Sequence, residues 1–295
     1  MKKVLVLGSR GFIGRAVTSY LQNKEVFVVT ADRSDTTCDF TVDLKNKDDV
    51  LDLVRKTLPS YIINCAGILT AEHCFLNPVF SMNVLSALEV FKSQITCKLI
   101  VLGSASEYGI VGKLPVSEDA PLMPQNAYDM SKVIETLSAL KYAELHGLNV
   151  VIARLFNPIG ALMHERTLIP SLIRQVKELA RSSQKKLEVN RLDSKRDFLA
   201  VSDVAEAIAT IALSEENKEK VYNIGSGEEA SVEQLIQSFL ETVNFSRNIE
   251  IVETSEQPEP QYASRADISR ISTEFGWKPK NNLREVVNEL VNEQE

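Results

Sequence analysis

The chain has 295 residues, 44% of them apolar and 25% charged, which is ordinary for a globular protein that builds its core without disulfide or metal staples. Forty acidic against 33 basic residues give a formal charge of -7, which argues against nucleic-acid or anionic-membrane partners. No run reaches the roughly 18 apolar residues of a membrane span. The opening Met1-Lys2-Lys3 and the short apolar run after it lack the length and cleavage site of a signal peptide, so a first strand is expected there. Cys38, Cys65, Cys74 and Cys97 show no CxxC spacing, and His73, His146 and His164 are scattered. Neither a disulfide framework nor a metal site is expected, and reduced thiols fit a cytoplasmic protein.

In chain order, the pattern predicts a strand at Val4–Leu7, a helix over Gly11–Asn23, a strand at Val26–Ala31 and a helix over Lys47–Leu58. A strand at Tyr61–Cys65, a helix over Val79–Phe91 and a strand at Lys98–Leu102 follow, then a long helix over Tyr128–His146 and a strand at Asn149–Leu155. Short β-branched strands alternating with three-turn helices indicate an α/β fold, a doubly wound parallel (Rossmann) sheet buried on both faces. Beyond residue 156 the rhythm changes. A turn at Asn157–Gly160 leads to a helix over Pro170–Ala180 and a basic loop at Arg181–Lys186. A strand and helix around Leu199–Leu213, with Ser202 as helix cap, precede a further sheet strand at Val221–Ile224. Helices at Val232–Val243 and Leu283–Val291 flank the proline-rich Gln257–Pro260. Residues 1–156, with 198–227 returning, are read as a nucleotide-binding domain; 157–197 and 228–295 form a smaller, discontinuous C-terminal substrate-binding portion.

Between the first strand and first helix, Gly8-Ser9-Arg10-Gly11-Phe12-Ile13-Gly14 reads GxxGxxG. Glycines there permit a tight turn and close approach of a pyrophosphate to the helix N-terminus, and no Gly-Lys-Ser/Thr follows to suggest a triphosphate loop. Asp32, at the end of the second strand, sits near the ~20-residue offset at which a carboxylate binds the adenosine ribose, which favours NAD. Arg10 and Arg33 could pair with a 2′-phosphate, so NADP stays open.

Tyr128 and Lys132 stand at i and i+4, on one face of a helix. A free phenol titrates near pH 10, and a neighbouring ammonium and a positive nicotinamide would lower it toward use as a base. The strand Lys98–Leu102 runs into Gly103-Ser104-Ala105-Ser106-Glu107-Tyr108-Gly109, at the carboxyl edge where parallel sheets bind ligands. Ser104 could hydrogen-bond a substrate oxygen while Tyr128 moves its proton.

These segments fall in one order with Asn64-Cys65-Ala66-Gly67, Asn83-Val84, Arg154–Asn157, Arg196-Asp197-Phe198, Tyr222–Gly227 and Phe275–Pro279. Together they resemble the extended short-chain dehydrogenases/reductases, of the NAD-dependent epimerase/dehydratase type that acts on nucleotide sugars. The resemblance implies Tyr128 as acid/base, Lys132 as ribose-binding partner and Ser104 as substrate-orienting residue. It implies cofactor contacts from Gly8, Arg10, Gly11, Phe12, Ile13, Gly14, Asp32, Arg33, Asp43, Leu44, Cys65, Ala66, Gly67 and Asn83, the last ordering the surroundings of Lys132. Ser106, Asn157 and Arg196 fall at substrate positions, for a nucleoside-diphosphate sugar. The helices Val79–Phe91 and Tyr128–His146 are those that pair in family homodimers, although their apolar faces could equally be core.

Three departures narrow the chemistry. Where similar dehydratases carry Asp-Glu after the catalytic hydroxyl residue, this chain has Ala105 and Ser106, with Glu107 displaced by one. The Cys and His of proton-abstracting epimerases correspond to Ser106 and Thr167, with His164 nearby. A second diphosphate-binding Arg is absent from Gln257-Pro258-Glu259, a place that Arg265 or Arg191 could fill. What remains is oxidation and reduction at one carbon: epimerisation, typically at C4, or net reduction of a 4-keto-6-deoxy sugar. A non-catalytic cofactor sensor is the reading from another class, which the retention of Tyr128 and Lys132 disfavours.

Overall fold

In the computed structural model, residues 2–33, 37–160, 162–163, 168–181, 186–243, 249–255, 262 and 264–292 are described. Alternation of β1 (Lys3–Leu7), α1 (Phe12–Gln22), β2 (Phe27–Asp32), β3 (Phe40–Thr41), α2 (Lys47–Thr57), β4 (Tyr61–Asn64), α3 (Leu76–Phe91) and β5 (Lys98–Ser104) builds the first half. A single 3-10 turn, Ala105–Tyr108, then leads to α4 (Ala127–His146) and β6 (Asn149–Leu155). The later elements are β7 (Asn157–Ile159), α5 (Leu168–Arg181), β8 (Lys186–Val189), β9 (Lys195–Arg196), β10 (Phe198–Ala200), α6 (Val201–Leu213) and β11 (Val221–Ile224). β12 (Ala230–Ser231), α7 (Val232–Thr242), β13 (Glu250–Glu253), α8 (Ser269–Phe275) and α9 (Leu283–Asn292) complete the described chain.

Seven strands form one sheet in the order β11-β6-β5-β4-β1-β2-β3, and every pairing in it is parallel. The chain winds outward one way from β1 to β3 and then the other way from β4, so a crevice opens at the carboxyl ends of β1 and β4. Alternation along β1 shows why both faces are covered. Val4 and Val6 join a core with Val17 and Leu21 of α1 and Val204 and Ile208 of α6. Leu5 and Leu7 join the opposite core, with Val50 of α2, Val84 and Leu88 of α3 and Ala139 of α4. A third core lies off the sheet and gathers Ile173 of α5, Leu187 of β8, Ile236 of α7 and Val287 of α9. A small fourth one, Ala105, Tyr108, Val116, Phe156 and Ala266, lies around the 3-10 turn.

The expected strand Val221–Ile224 is β11, in register beside β6. Ser202 is not a helix cap: α6 begins at Val201, and the N-cap residue, Ala200, offers no side-chain hydrogen bond. The first-turn carboxylate of Asp203 instead accepts from the backbone N–H of Lys280 and Asn281, fastening the approach to α9. Part of the basic loop expected at 181–186, and the proline-rich 257–260, fall outside the described residues.

Candidate active site

The loop after β1 and the start of α1 are packed so tightly that Gly14 cannot carry a side chain: a Cβ there would lie 2.0 Å from the Gly8 carbonyl oxygen. Gly14 is buried and does not face the crevice, which corrects its expected place among ligand contacts; its part is to let α1 close on the loop. Gly11, exposed, caps the helix, and Arg10, Gly11, Phe12 and Ile13 face the crevice.

Two cavities adjoin along the carboxyl edge and share Arg10, Gly11, Cys65, Ala66, Gly67 and Ile68 in their walls. One, of about 740 Å³, is bounded by Gly8, Asp32, Arg33, Asp43 and Leu44. Both Asp32 oxygens are fixed by backbone donors, Oδ2 by Arg10 N–H at 3.1 Å and Oδ1 by Arg33 N–H at 2.7 Å. The other, of about 830 Å³, contains Ser104, Tyr128, Lys132, Asn157 and Arg196. Each is of the size that holds a small-molecule ligand. Although the chain is acidic, Arg10, Arg15, Arg33, Lys132, Arg191 and Arg196 all line these walls, against the carboxylates Asp32 and Asp43 alone among the described residues. Such a lining suits an anionic ligand.

Asn126 caps α4 by accepting the N–H of Asp129, and Gly147 ends the helix in the left-handed conformation. That start puts Tyr128 and Lys132 in the first turns, facing the end of β5. Ser104, the last residue of β5, faces Tyr128; its hydroxyl also accepts the N–H of Ser106 at 3.2 Å and lies 2.9 Å from the Ser106 hydroxyl. Ser106, half-buried, is thus held to the wall residue Ser104. Burial pushes the Tyr128 phenol above its ordinary value; the Lys132 ammonium and the Ser104 hydroxyl pull it down without cancelling that effect. The expected depression by Lys132 is present, but desolvation outweighs it among the protein's own groups.

Beneath Ser104 lies a carboxylate the sequence reading left without a role. Glu107 accepts the Ser104 N–H at 2.8 Å and receives Arg154 at 3.0 and 3.1 Å, with both side chains buried. Gly103 makes room for it, since a Cβ there would sit 2.7 Å from Glu107 Oε1. Arg154 also donates to the Tyr108 hydroxyl at 2.7 Å, which in turn donates to Asn223. Glu107 therefore braces the serine and does not face the cavity as a proton donor.

Contrary to expectation, Asn83 does not order the surroundings of Lys132; its amide donates to the carbonyls of Leu44 and Lys45, at the other end of the crevice. The buried partners of Lys132 are instead the Leu102 carbonyl and Glu135, one turn along α4. Glu135 was legible only as an i+3 carboxylate on the lysine's helix face. Burial alone would lower the Lys132 ammonium, but Glu135 and, less strongly, Tyr128 keep it above its ordinary value. Cys65 borders both cavities, yet burial pushes its thiol up to about 12, so it is no nucleophile. Of the alternative arginines, Arg191 lines the cavity and Arg265 does not. His164, Thr167 and Gln257–Glu259 lie outside the described residues.

Residues 4–225 match the family model of the NAD dependent epimerase/dehydratase family. The chain is 26% identical to GDP-6-deoxy-D-mannose reductase of Pseudomonas aeruginosa, over 100% of this chain and 97% of that protein. It is 27% identical to a UDP-glucose 4-epimerase of Pisum sativum, over 97% and 93% of the two chains. The structure of RMD from Pseudomonas aeruginosa complexed with NADPH superposes with a TM-score of 0.85 at 26% identity, over 99% of this chain and 97% of that one. The UDP-glucose 4-epimerase of Thermus thermophilus in complex with NAD shares the fold, with a TM-score of 0.84, 23% identity and 98% of each chain covered.

Proposed function

The chain belongs to the NAD-dependent epimerase/dehydratase family, and from that premise we propose that it oxidises and reduces a single carbon of a nucleoside-diphosphate sugar, best as a C4 epimerase with a retained NAD. The observation that carries this reading is one cavity holding Ser104, Tyr128 and Lys132, while the two carboxylates that touch these residues, Glu107 and Glu135, are buried against Arg154 and Lys132. A dehydratase needs another group to move carbon-bound protons, and this site offers none beside Ser104 among the described residues.

The residues fit a dinucleotide. The tightly closed Gly8–Gly14 turn, the α1 N-terminus and the fixed Asp32 carboxylate would hold the pyrophosphate and adenosine ribose. Asp43 and Leu44 would lie by the adenine, and Lys132 by the second ribose. Asp32 supports NAD, since a 2′-phosphate would face its carboxylate. Bound there, the nicotinamide supplies a hydride acceptor and donor and a positive charge that favours the phenolate. Ser104 orients the sugar hydroxyl. Tyr128 takes its proton on oxidation and returns it on reduction, and the Lys132 ammonium stabilises the phenolate between the two. Asn157, Arg196 and Arg191 would receive the diphosphate and nucleoside.

Net reduction of a 4-keto-6-deoxy sugar is the second reading. Leu69, Leu162, Met163 and Phe198 add apolar side chains to the wall of the catalytic cavity, which would suit a methyl group better than a hydroxymethyl. Full-length similarity to a GDP-6-deoxy-D-mannose reductase supports it too. Incubation of purified protein with NAD and a panel of nucleotide sugars, followed by proton NMR, is expected to show inversion at one carbon with no net change in nicotinamide absorbance. Stoichiometric loss of NADH or NADPH with a keto-sugar selects the reductase; neither outcome across the panel overturns both. We further propose a cytoplasmic homodimer joined through α3 and α4. The four unpaired cysteines, and the exposed apolar side chains of those helices, support this.

A further inference from the structure

Glu135, the buried partner of Lys132, has no part in the chemistry above, yet it is 1% exposed in a position where a carboxylate needs a reason. Its two oxygens are used in opposite directions. Oε2 receives the Lys132 ammonium, and Oε1 accepts the Ser81 hydroxyl of α3 at 2.6 Å. That hydroxyl is free to donate because its own oxygen accepts from the Asn64 amide of β4 at 3.0 Å. The Asn64 carbonyl oxygen accepts the N–H of Ala66, 3.2 Å away in the crevice wall. Every donor in this chain points toward Glu135, an arrangement only an ionised carboxylate satisfies at both ends. Lys132 has three N–H donors, of which the Leu102 carbonyl and Glu135 take two, and its side chain lines the catalytic cavity.

We infer that Glu135 is the positioning residue of the active-site lysine: anchored by Ser81 and Asn64, its carboxylate keeps the Lys132 ammonium charged and aims its remaining N–H into the cavity. The titratable groups facing Lys132 are Glu135 and Tyr128 on its own helix and Glu107 from the 3-10 turn, itself neutralised by Arg154. Glu135 is thus the one carboxylate in direct contact with the ammonium among the described residues. A glutamine there cannot replace it. With its amide nitrogen toward Lys132, donor meets donor; turned the other way, it leaves the Ser81 hydroxyl hydrogen with no acceptor.

The inference rests on the active site proposed above, and its first test is independent of any sugar. Side-chain NMR of isotope-labelled lysine, with the signal assigned through Lys132→Met, reads the charge on Lys132 Nζ from neutral pH to about pH 10. The wild type is expected to hold an ammonium throughout. Glu135→Gln should pass to the neutral amine within that range, and Glu135→Asp should restore the charge in part. An ammonium that persists in Glu135→Gln overturns the inference. Should Glu135→Gln fail to fold, Ser81→Ala decides: earlier loss of the proton supports the inference, and an unchanged titration defeats it.

On whichever nucleotide sugar is turned over, Glu135→Gln should shift the pH profile of kcat by about one pH unit and lower kcat roughly ten-fold near neutrality, with KM little changed. An unshifted profile counts against the role. If no sugar is turned over, the functional reading fails and the NMR titration still decides the fate of Glu135.

Discussion

Arg154→Met is expected to destabilise the protein by roughly 3–5 kcal/mol, because it strands the Glu107 carboxylate inside the fold with no counter-charge. The double variant Arg154→Met/Glu107→Gln should recover much of that loss, and urea unfolding of the set measures both effects. Equal destabilisation by the single and double changes would show that Arg154 matters for packing alone. This pair also marks what a sequence reading reaches and what it does not. Tyr128 and Lys132 were legible because helical spacing alone puts them on one face, and Ser104 because a strand ends there. Glu107 and Glu135 were not, because their roles depend on Arg154 and Ser81, distant in sequence and near only once the sheet is wound. Asn83 was placed by the resemblance, and its side chain turns to Leu44 and Lys45, neighbours that local order does not reveal.

At the scale of elements, α4 carries Met130, Ile134, Leu137 and Leu145 outward, with Leu137 54% and Leu145 69% exposed, and α3 adds Val79 and Val90. Several exposed apolar side chains on two neighbouring helices favour burial against a partner. Light scattering is expected to find a dimer for the wild type and a monomer for Leu137→Glu; a monomeric wild type would end the homodimer proposal. α6 shows a different device. Lys98, buried at the start of β5, donates to the carbonyls of Ile211 and Ser214 at the end of that helix. Burial, aided by the ammoniums of Lys2 and Lys220, lowers its titration from the ordinary 10.5 to about 8. The unfolded chain therefore binds the proton more readily than the folded one between those values, and folding gains from this group as pH rises through them. Relative to Lys98→Met, the wild type should gain stability between pH 8 and 10.5 in denaturant titrations. A difference that stays flat with pH would show that Lys98 titrates normally. Most boundaries of these elements followed from apolar spacing; the start of α6 did not, because its capping serine was inferred from residue type while the strand before it ran on to Ala200.

For the whole molecule, the doubly wound parallel sheet followed from alternating strands and helices, since parallel strands need crossovers and crossovers wind one way. The third core was harder to foresee. It assembles α5, β8, α7 and α9 from segments far apart in the chain, and no periodicity states which amphipathic faces will meet. Net charge was silent about the local field, because the cations that line the crevice are scattered in sequence from Arg10 to Arg196. The small cluster around the 3-10 turn has a consequence for descent and redesign. Ala105 is packed there with Tyr108, Val116, Phe156 and Ala266, so a carboxylate installed at that position would have to be desolvated among apolar neighbours. Acquiring dehydration chemistry would require rebuilding that cluster together with the serine's brace, and this insulates the scaffold against drifting to a new reaction by single substitutions.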